Sequence, residues 1–358
     1  MTSPFDTVTF SHGPAMANRL MLAPLTNQQS HADGTMSDDE FHWLTMRAQG
    51  GFGLTMTCAS HVQAVGQGFA GQMGIWSDDH VDGLTRLAAA LNSAGTVSYI
   101  QLHHAGNRAP AAVIGTQPVC PSDDEATGAR ALTRDEVQQV VADFVAAAVR
   151  AERAGFHGVE LHGAHGYLIC QFLSAELNHR TDEYGGSLEN RSRLLFEIID
   201  GIRAACGEGL ALAVRLSPER FGMRVAEIVE VYGRLVASGK LDLIDMSLWD
   251  YERVVDEPGF EGRRLIDIFA ELTRGDVRLG VAGKIHDPAD VLRVLEAGVD
   301  IPVLGRVAIL HHDYPRLLGT EGFVPRRPPA TPESLHAEGV SPTFVNYLRS
   351  SFRGFVAG

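Results

Sequence analysis

The sequence contains only four cysteines in 358 residues, and none of them belongs to a Cys-x-x-Cys pair. They stand far apart along the chain, at Cys58, Cys120, Cys170 and Cys206. Iron–sulfur clusters and structural zinc sites need closely spaced cysteine ligands, and a disulfide framework needs a dense set of cysteines. The sequence therefore argues against all three.

Basic side chains are also scarce, since 30 lysines and arginines face 44 acidic residues, for a formal net charge of −14. An acidic surface is repelled by phosphate backbones and anionic lipids, so neither nucleic acid nor a membrane is an expected partner. The N-terminus has no basic start followed by an apolar run, and no stretch is long and apolar enough to cross a bilayer. Hydrophobic residues make up 45% of the chain, so the sequence predicts a globular enzyme of the cytoplasm.

Short apolar runs recur along the chain, several of them after a helical stretch that ends in a small residue and a glycine. These pairs stand at Ala94-Gly95, Ala154-Gly155, Ser238-Gly239 and Ala297-Gly298. Glycine accepts the left-handed conformation that ends a helix, and such short apolar runs are typical of strands buried on both faces of a parallel sheet. We predict strands at 19–23, 53–58, 97–103, 157–161, 211–216, 241–246, 277–282 and 300–304. With helices between them, they give about eight β/α units, the number in a (β/α)8 TIM barrel of the α/β class.

Three sequence signals mark helix starts. Ser37-Asp-Asp-Glu40 and Thr133-Arg-Asp-Glu136 fit the capping box, and Asp287-Pro288 places an acid before a proline. No linker divides the chain, so we predict one barrel domain at residues 1–321, with an insertion at 105–132 after the third strand. Residues 322–358 are predicted to form a C-terminal extension that packs on the barrel or on a neighbouring subunit.

The functional groups of a barrel enzyme stand where the strands end. Residues suited to binding a ligand follow seven of the predicted strands, at 23–26, 58, 101–104, 162–167, 214–217, 282–284 and 305–306. Gly283 and Gly305-Arg306 are suited to a phosphate, because glycine exposes backbone N–H groups and arginine clamps phosphate oxygens. Tight turns explain the two glycines equally well.

Two histidines and a tyrosine follow the fourth strand, in the order His162, His165, Tyr167. Neutral imidazoles can donate to an oxygen that becomes negative, and a phenol can supply a proton late in a reaction. The same histidines, with His103 and His104, could instead ligate a metal, or they could be hydrogen-bonded structural histidines. The spacing alone favours the metal and structural interpretations, taken together, over a catalytic one.

Two long runs are far more specific than any of these short motifs. They are His162-Gly-Ala-His-Gly-Tyr-Leu-Ile-Cys-Gln-Phe-Leu-Ser174 and Asn178-His-Arg-Thr-Asp-Glu-Tyr-Gly-Gly-Ser-Leu-Glu-Asn-Arg191. Together they resemble the signature of the Old Yellow Enzyme family. Shorter matches follow in the family order, at Leu22-Ala-Pro-Leu-Thr26, Gln101-Leu-His-His-Ala-Gly106, Val214-Arg-Leu-Ser217 and Leu304-Gly-Arg306. These matches cover most of the barrel, and the chain is most similar to the shorter bacterial, thermophilic-like branch.

The resemblance implies an FMN-dependent ene-reductase that uses NAD(P)H to reduce small activated alkenes. The residues it assigns to the cofactor are Pro24, Leu25, Thr26, Cys58, Gln101, His162, Arg215, Gly283, Gly305 and Arg306, the last three at the phosphate. His162 and His165 would hold the carbonyl or nitro oxygen of the substrate. Tyr167 would protonate the alkene carbon opposite the hydride delivered from flavin N5.

Two positions depart from that branch. Thr26 stands where the branch usually has cysteine, so we expect a flavin potential that is insensitive to thiol oxidation. Gln28 stands where the branch usually has tyrosine, and we expect it to face the substrate and to change substrate preference. The family also implies a homo-oligomer, a dimer or a tetramer, in which Arg349 or Arg353 is a candidate to reach the neighbouring site.

Three other functions compete with this interpretation. A related flavin barrel with an iron–sulfur cluster is opposed by the missing cysteine cluster. A metal-dependent barrel hydrolase would use the rim histidines, but the His-x-His usual on its first strand is absent. A flavoprotein that reduces other acceptors, or one that only binds flavin, would take up FMN without reducing alkenes.

Overall fold

The computed structural model describes residues 2–358, and its centre is a closed barrel of eight parallel strands. The strands within the described residues are β1 (Met21–Leu22), β2 (Leu54–His61), β3 (Val97–His103), β4 (Val119–Cys120), β5 (Arg130–Ala131), β6 (Gly158–Gly163), β7 (Ala211–Leu216), β8 (Leu243–Ser247), β9 (Arg278–Ala282) and β10 (Ile301–Leu304). The barrel order is β1, β2, β3, β6, β7, β8, β9 and β10, and β10 pairs back to β1. Because all of these pairs are parallel, the carboxyl ends of the eight strands meet at one rim. The predicted (β/α)8 fold is confirmed.

Helices alternate with the barrel strands and form the outer layer. They are α1 (Asp38–Gln49), α2 (Val81–Ser93), α3 (Ala111–Ile114), α4 (Arg134–Arg153), α5 (Leu168–Leu173), α6 (Leu188–Ala205), α7 (Val225–Ala237), α8 (Leu265–Ala270), α9 (Pro288–Glu296), α10 (Arg306–Leu310), α11 (Tyr314–Leu317), α12 (Pro332–Ala337) and α13 (Pro342–Ser351). Among residues 2–358, no helix has the length and apolar character needed to span a membrane.

The predicted strands match the observed ones except at a few ends. β1 is shorter than predicted, and β2 continues to His61. A register shift between Met56 and Ala59 interrupts the pairing of β2 with β3, as expected where an extra residue bulges from a strand. β6 continues to Gly163, so that His162 lies within the strand and pairs with Arg215 of β7.

The barrel interior is filled by alternate residues of the strands, since successive side chains of a strand point to opposite faces. Met56, Tyr99 and Leu243 belong to this inner cluster and are fully buried. A Cβ atom on Gly158 would stand 2.5 Å from the Tyr99 ring, so the glycine makes room for the phenol. The second, larger cluster lies between the strands and the surrounding helices.

The helix-start signals have different outcomes. Thr133 forms the full predicted capping box with Glu136. At α1 only half of the box forms: Ser37 Oγ accepts from the Glu40 N–H at 3.1 Å, but the Glu40 carboxylate does not return to Ser37. That carboxylate is buried and accepts from Cys58 Sγ at 2.9 Å. The α1 prediction was therefore half wrong, because the interior provides stronger partners for this acid than the helix end. Asp287 occupies the N-cap position of α9 ahead of its proline, as predicted.

The C-terminal residues pack on the barrel of the same chain through α12 and α13. The ring of Phe344 meets Trp43 of α1 edge to face, with ring centroids 4.9 Å apart. Phe344 and Leu348 are fully buried. Arg349 and Arg353, the candidates for a neighbouring site, are both exposed.

Candidate active site

A cavity of about 700 Å³ opens at the carboxyl ends of the strands, within the size range of small-molecule and cofactor sites. Eleven of the residues predicted for the site line it: Pro24, Leu25, Thr26, Gln101, His162, His165, Tyr167, Arg215, Gly283, Gly305 and Arg306. They come from six barrel strands and the loops that follow them. The structure thus brings together residues that are up to 282 positions apart (Pro24 to Arg306).

Gln28 and Cys58 are not among the residues that line the cavity. The Gln28 carbonyl packs against Gly71, where a Cβ atom would stand 2.4 Å from its oxygen. The Cys58 thiol points to Glu40, and Ala59 takes the place on the cavity wall that we expected Cys58 to hold. The positions of these two residues depend on the bulge in β2 and on the turn after β1. The apolar pattern of the strands predicts neither feature.

The charge of the cavity is opposite to that of the whole chain. Its described lining includes Arg108, Arg215, Lys284, Arg306 and Arg327, but no aspartate or glutamate. Three of these cations pair with carboxylates that do not line the cavity. Within the described part of the chain, Arg108 and Arg306 have no carboxylate within ion-pair distance. In a protein of net charge −14, such a cavity is suited to an anionic ligand.

The two rim histidines are neutral at physiological pH. Burial, reinforced by the positive charge of Arg215, lowers the pKa of His165 to about 3. Burial also holds the pKa of His162 well below its ordinary value, with smaller contributions from neighbouring histidines and Arg215. Nδ1 of His165 lies 3.4 Å from Nε2 of His162. Nδ1 of His162 is buried and has no protein partner in the described structure, so it is available to a bound ligand.

Tyr167 is half-buried and lies between an imidazole and a guanidinium. Its ring meets His103 edge to face, with centroids 4.4 Å apart, and Arg108 Cζ lies 4.7 Å from its centroid. Arg108 also donates to the His165 carbonyl oxygen. These contacts fix the orientation of the phenol beside the two histidines.

A buried set of charged residues supports the floor of the cavity. Arg215 Nε lies 3.0 Å from Asp245 Oδ2, and Gln101 Nε2 donates to Glu160 Oε1 at 2.7 Å. Burial raises the pKa of Glu160, the Asp245 charge raises it further, and Arg215 opposes both effects. Burial raises the pKa of Asp245 as well. These carboxyls therefore hold Gln101 and Arg215 in place and favour a protonated Glu160.

Several cavity residues were missed by sequence reasoning. Ser247 ends β8, two residues after Asp245, so its place at the end of a barrel strand is a signal that the sequence contains. Arg108 lies in the insertion after β3, where no periodic pattern exists. Four further lining residues come from the C-terminal extension: Phe344, Tyr347, Leu348 and Phe352. No local signal in the sequence shows that this segment covers a site formed by the barrel.

In the part of the chain that the structure describes, the histidines near the rim are not grouped at metal-ligand spacing. His103 Nδ1 lies 3.0 Å from the Gln72 amide, and His104 Nε2 lies 3.0 Å from the Gln63 side-chain oxygen. The one described group with metal-ligand spacing is elsewhere, at His312, Asp313 and Glu338, and Glu338 already pairs with His312 and Arg326. The geometry therefore does not support the hydrolase alternative.

Residues 5–317 match the sequence profile of the NADH:flavin oxidoreductase / NADH oxidase family. The chain belongs to this family, the Old Yellow Enzymes. It is 36% identical over 312 residues to a probable NADH-dependent flavin oxidoreductase of Bacillus subtilis, and the match covers 84% of each chain. It is 32% identical to an NADPH dehydrogenase of Bacillus pumilus, covering 86% of this chain and 92% of that one.

Solved structures lead to the same family. The Old Yellow Enzyme homologue from Zymomonas mobilis superposes with a TM-score of 0.79 at 29% identity, over 93% of this chain and 96% of that one. Morphinone reductase in complex with tetrahydroNAD superposes with a TM-score of 0.80 at 28% identity, over 94% of each chain. This Old Yellow Enzyme is therefore an NAD(P)H-dependent FMN oxidoreductase, and the predicted cofactor and electron donor are confirmed.

The residues present fit FMN. The lining without carboxylates accepts a phosphate monoester, and the unpaired Arg306 lies beside Gly305 on that lining. Gln101 and Arg215 lie on the same lining and are held by buried carboxyls. His162 Nδ1 remains buried without a protein partner, as expected where a ligand completes the hydrogen bonding.

Proposed function

We propose that this Old Yellow Enzyme reduces the C=C bond of α,β-unsaturated carbonyl or nitro compounds at the expense of NAD(P)H. The supporting observation is that two neutral imidazoles, those of His162 and His165, stand beside the phenol of Tyr167 on the wall of one cavity. Overall, the alkene gains two hydrogens, one as a hydride that originates in NAD(P)H and one as a proton.

The first role of the site is to hold the oxygen of the activating group. Addition of hydride to the alkene moves negative charge onto that oxygen. N–H donors already in position stabilise the charge where it develops, and they do so strongly in a site from which water is excluded. The pKa of His165 is lowered to about 3, so its imidazole remains neutral over the whole physiological range. We assign His162 and His165 to this role.

The second role is proton delivery, which we assign to Tyr167. Its phenol lies on the cavity wall, with ring centroids 5.2 Å from His162. A group that protonates the α carbon must stand beside the group that holds the oxygen, because only one atom separates the two positions in the substrate. The contacts with His103 and Arg108 keep the phenol in that place.

The remaining lining residues are assigned to the cofactor. When bound, FMN would carry two electrons from the nicotinamide to the alkene. Gln101 and Arg215 would bind the pyrimidine edge of the flavin, and Gly283, Gly305 and Arg306 would bind its phosphate. The apolar wall for the flavin ring would come from Pro24 and Leu25, with Thr26 at its edge.

An anaerobic titration tests the proposal. The purified protein is reduced with a limiting amount of NADPH while its visible spectrum is recorded, and 2-cyclohexenone is then added. We expect the flavin absorbance to bleach and then to return when the enone is added. A flavin that bleaches and stays reduced with the enone and with a nitroalkene would contradict alkene reduction and indicate another electron acceptor.

A further inference from the structure

All six non-glycine residues with left-handed backbone among residues 2–358 lie in loops that follow barrel strands at the rim. They are Gln28, His165, Arg220, Phe221, Trp249 and Lys284, with φ between 53° and 67°. Each such residue costs roughly 1 kcal/mol or more, and residues of this kind persist mainly where the surrounding structure enforces them, often at functional sites. Four of them, His165, Phe221, Trp249 and Lys284, line the cavity itself.

Trp249 is the central residue of a tight three-residue turn. The Asp250 N–H donates to the Leu248 carbonyl oxygen at 2.7 Å, and φ of Trp249 is 62°. A γ-turn with positive φ at its centre is rare and strained. The turn directly follows β8 and directs a large aromatic side chain onto the cavity wall.

The neighbouring strand end enforces this turn. The Tyr251 N–H donates to the Gly283 carbonyl oxygen at 3.1 Å. A Cβ atom on Gly283 would stand 2.9 Å from the Asp250 nitrogen, so only glycine lets the turn approach. Lys284 Nζ then pairs with Asp250 Oδ2 at 2.7 Å. The position of the indole is therefore determined by two loops rather than by one flexible segment.

The indole belongs to an aromatic cluster next to the proposed oxygen-binding histidine. Its centroid lies 6.5 Å from that of Phe221 and 6.1 Å from that of His165. The Arg220 guanidinium stacks on the indole at 4.5 Å. Phe221 in turn packs on Gly166, where a Cβ atom would stand 2.8 Å from its ring. Even so, Trp249 keeps 46% of its surface exposed.

We propose that Trp249 and Phe221 form a subsite for a planar aromatic substituent of the alkene. This inference rests on the proposed function and deepens it. A large aromatic side chain that is held in a strained conformation and left exposed beside the oxygen-binding group can bury its free surface against a ligand ring. Arg220 Nε lies 4.0 Å from Glu219 Oε1, a carboxylate that also pairs with Arg253 at 3.2 Å, so the aromatic surface of the subsite borders a cationic edge.

Crotonaldehyde and cinnamaldehyde test this subsite, because they share the enal and differ only in a methyl or a phenyl group on the β carbon. The variant Trp249→Gly removes the ring and tolerates the left-handed turn, and Trp249→Phe keeps an aromatic ring. For the holoenzyme, we expect Trp249→Gly to lower the ratio of kcat/KM for cinnamaldehyde over crotonaldehyde by about three- to tenfold. Trp249→Phe should restore most of that ratio.

Trp76→Ala is the matched control, since Trp76 is also exposed but lies outside the cavity, and it should leave the ratio unchanged. An unchanged ratio in Trp249→Gly would overturn the subsite. The subsite would also be overturned if Trp249→Gly slowed flavin reduction by NADPH as much as it slowed cinnamaldehyde reduction. The aromatic wall would then bind the nicotinamide dinucleotide rather than the alkene. Absence of both enal reductions in the unmodified enzyme would instead refute the proposed function, so the two failures are distinguishable.

Discussion

Nε2 of His165 lies 2.6 Å from the hydroxyl oxygen of Ser247, a residue of β8 that is 82 positions away in the sequence. Arg215 Nη2 donates to the same oxygen at 3.4 Å, which frees the hydroxyl proton to point at Nε2. We infer that the single ring proton of neutral His165 then stands on Nδ1, where the long contact of 3.4 Å to His162 Nε2 leaves it able to donate to a bound oxygen. This places the proton of His162 on Nδ1, the buried atom without a protein partner.

Ser247→Ala should therefore weaken binding of the substrate oxygen while the cavity still holds FMN. The loss of one hydrogen bond that orients a buried imidazole is expected to slow reoxidation of the reduced flavin by an enone about five- to tenfold. Stopped-flow measurement of both half-reactions checks this. Reduction by NADPH should change much less, and Ser247→Thr, which keeps the hydroxyl, should retain most of the rate. Equal losses in both half-reactions would contradict the assignment.

Tyr167→Phe should separate the two halves of the reaction. Only the oxidative half needs a proton on carbon, so we expect it to slow by about 10²- to 10⁴-fold, while flavin reduction by NADPH stays nearly intact. The phenylalanine ring keeps the packing against His103 and Arg108. If the enone reoxidised the variant at the normal rate, the proton would have to come from another group.

The double variant His162→Ala, His165→Ala should weaken the binding of phenolic ligands, whose oxygen would occupy the place of the substrate oxygen. We expect the Kd to rise at least tenfold, because two buried hydrogen-bond donors are lost. Titration of a phenol, followed by the visible spectrum of the bound flavin, measures it. His179→Ala, which removes a histidine outside this cavity, should leave the Kd unchanged. An unchanged phenol affinity in the double variant would argue against oxygen binding by these histidines.

Glu160→Gln should make the protein more stable in alkaline solution. Burial raises the pKa of Glu160 above its ordinary 4.5, so the folded protein holds this proton more tightly than the unfolded chain does. The resulting stabilisation is complete below pH 4.5 and is lost as the pH rises through the raised pKa. Glutamine keeps a neutral acceptor for Gln101 and cannot ionise.

We therefore expect the melting temperature of Glu160→Gln to exceed that of the unmodified protein by about 2–4 °C at pH 9, with a smaller difference at pH 5. Glu230→Gln changes an exposed glutamate and serves as the control. A difference that grew toward acidic pH would show that the sign of the Glu160 shift is wrong.

Phe344→Ala tests whether the C-terminal extension belongs to the folded barrel. Phe344 is fully buried against Trp43 and also lines the cavity. Removing the ring should lower the free energy of unfolding by about 3–5 kcal/mol and weaken FMN retention. Denaturant titration and a flavin-release assay measure the two effects. Phe5→Ala, at an exposed phenylalanine, should cost much less than the buried position.

The sequence by itself determined the barrel and most of its site. Buried parallel strands have a local signature of short apolar runs between helices, and all eight predicted strands are present. A closed parallel barrel also brings every strand end to one rim, so Gln101, His162, Arg215 and Arg306 could be assigned to one site without knowledge of a single contact. The resemblance to the family signature then indicated FMN as the cofactor.

Only the tertiary structure decided how these groups act together. The Glu40 carboxylate binds the buried Cys58 thiol instead of capping its helix, because a buried partner from a distant segment competes with the local signal. Gln28 does not line the cavity, and its backbone carbonyl packs against Gly71. The contact between Ser247 and His165 and the enforced turn at Trp249 join segments that are far apart in the chain. Phe344 and Tyr347 of the C-terminal extension likewise line a cavity whose other residues are far away in the chain. Such contacts depend on the direction and packing of side chains in three dimensions, which the periodicity of a strand or helix does not contain.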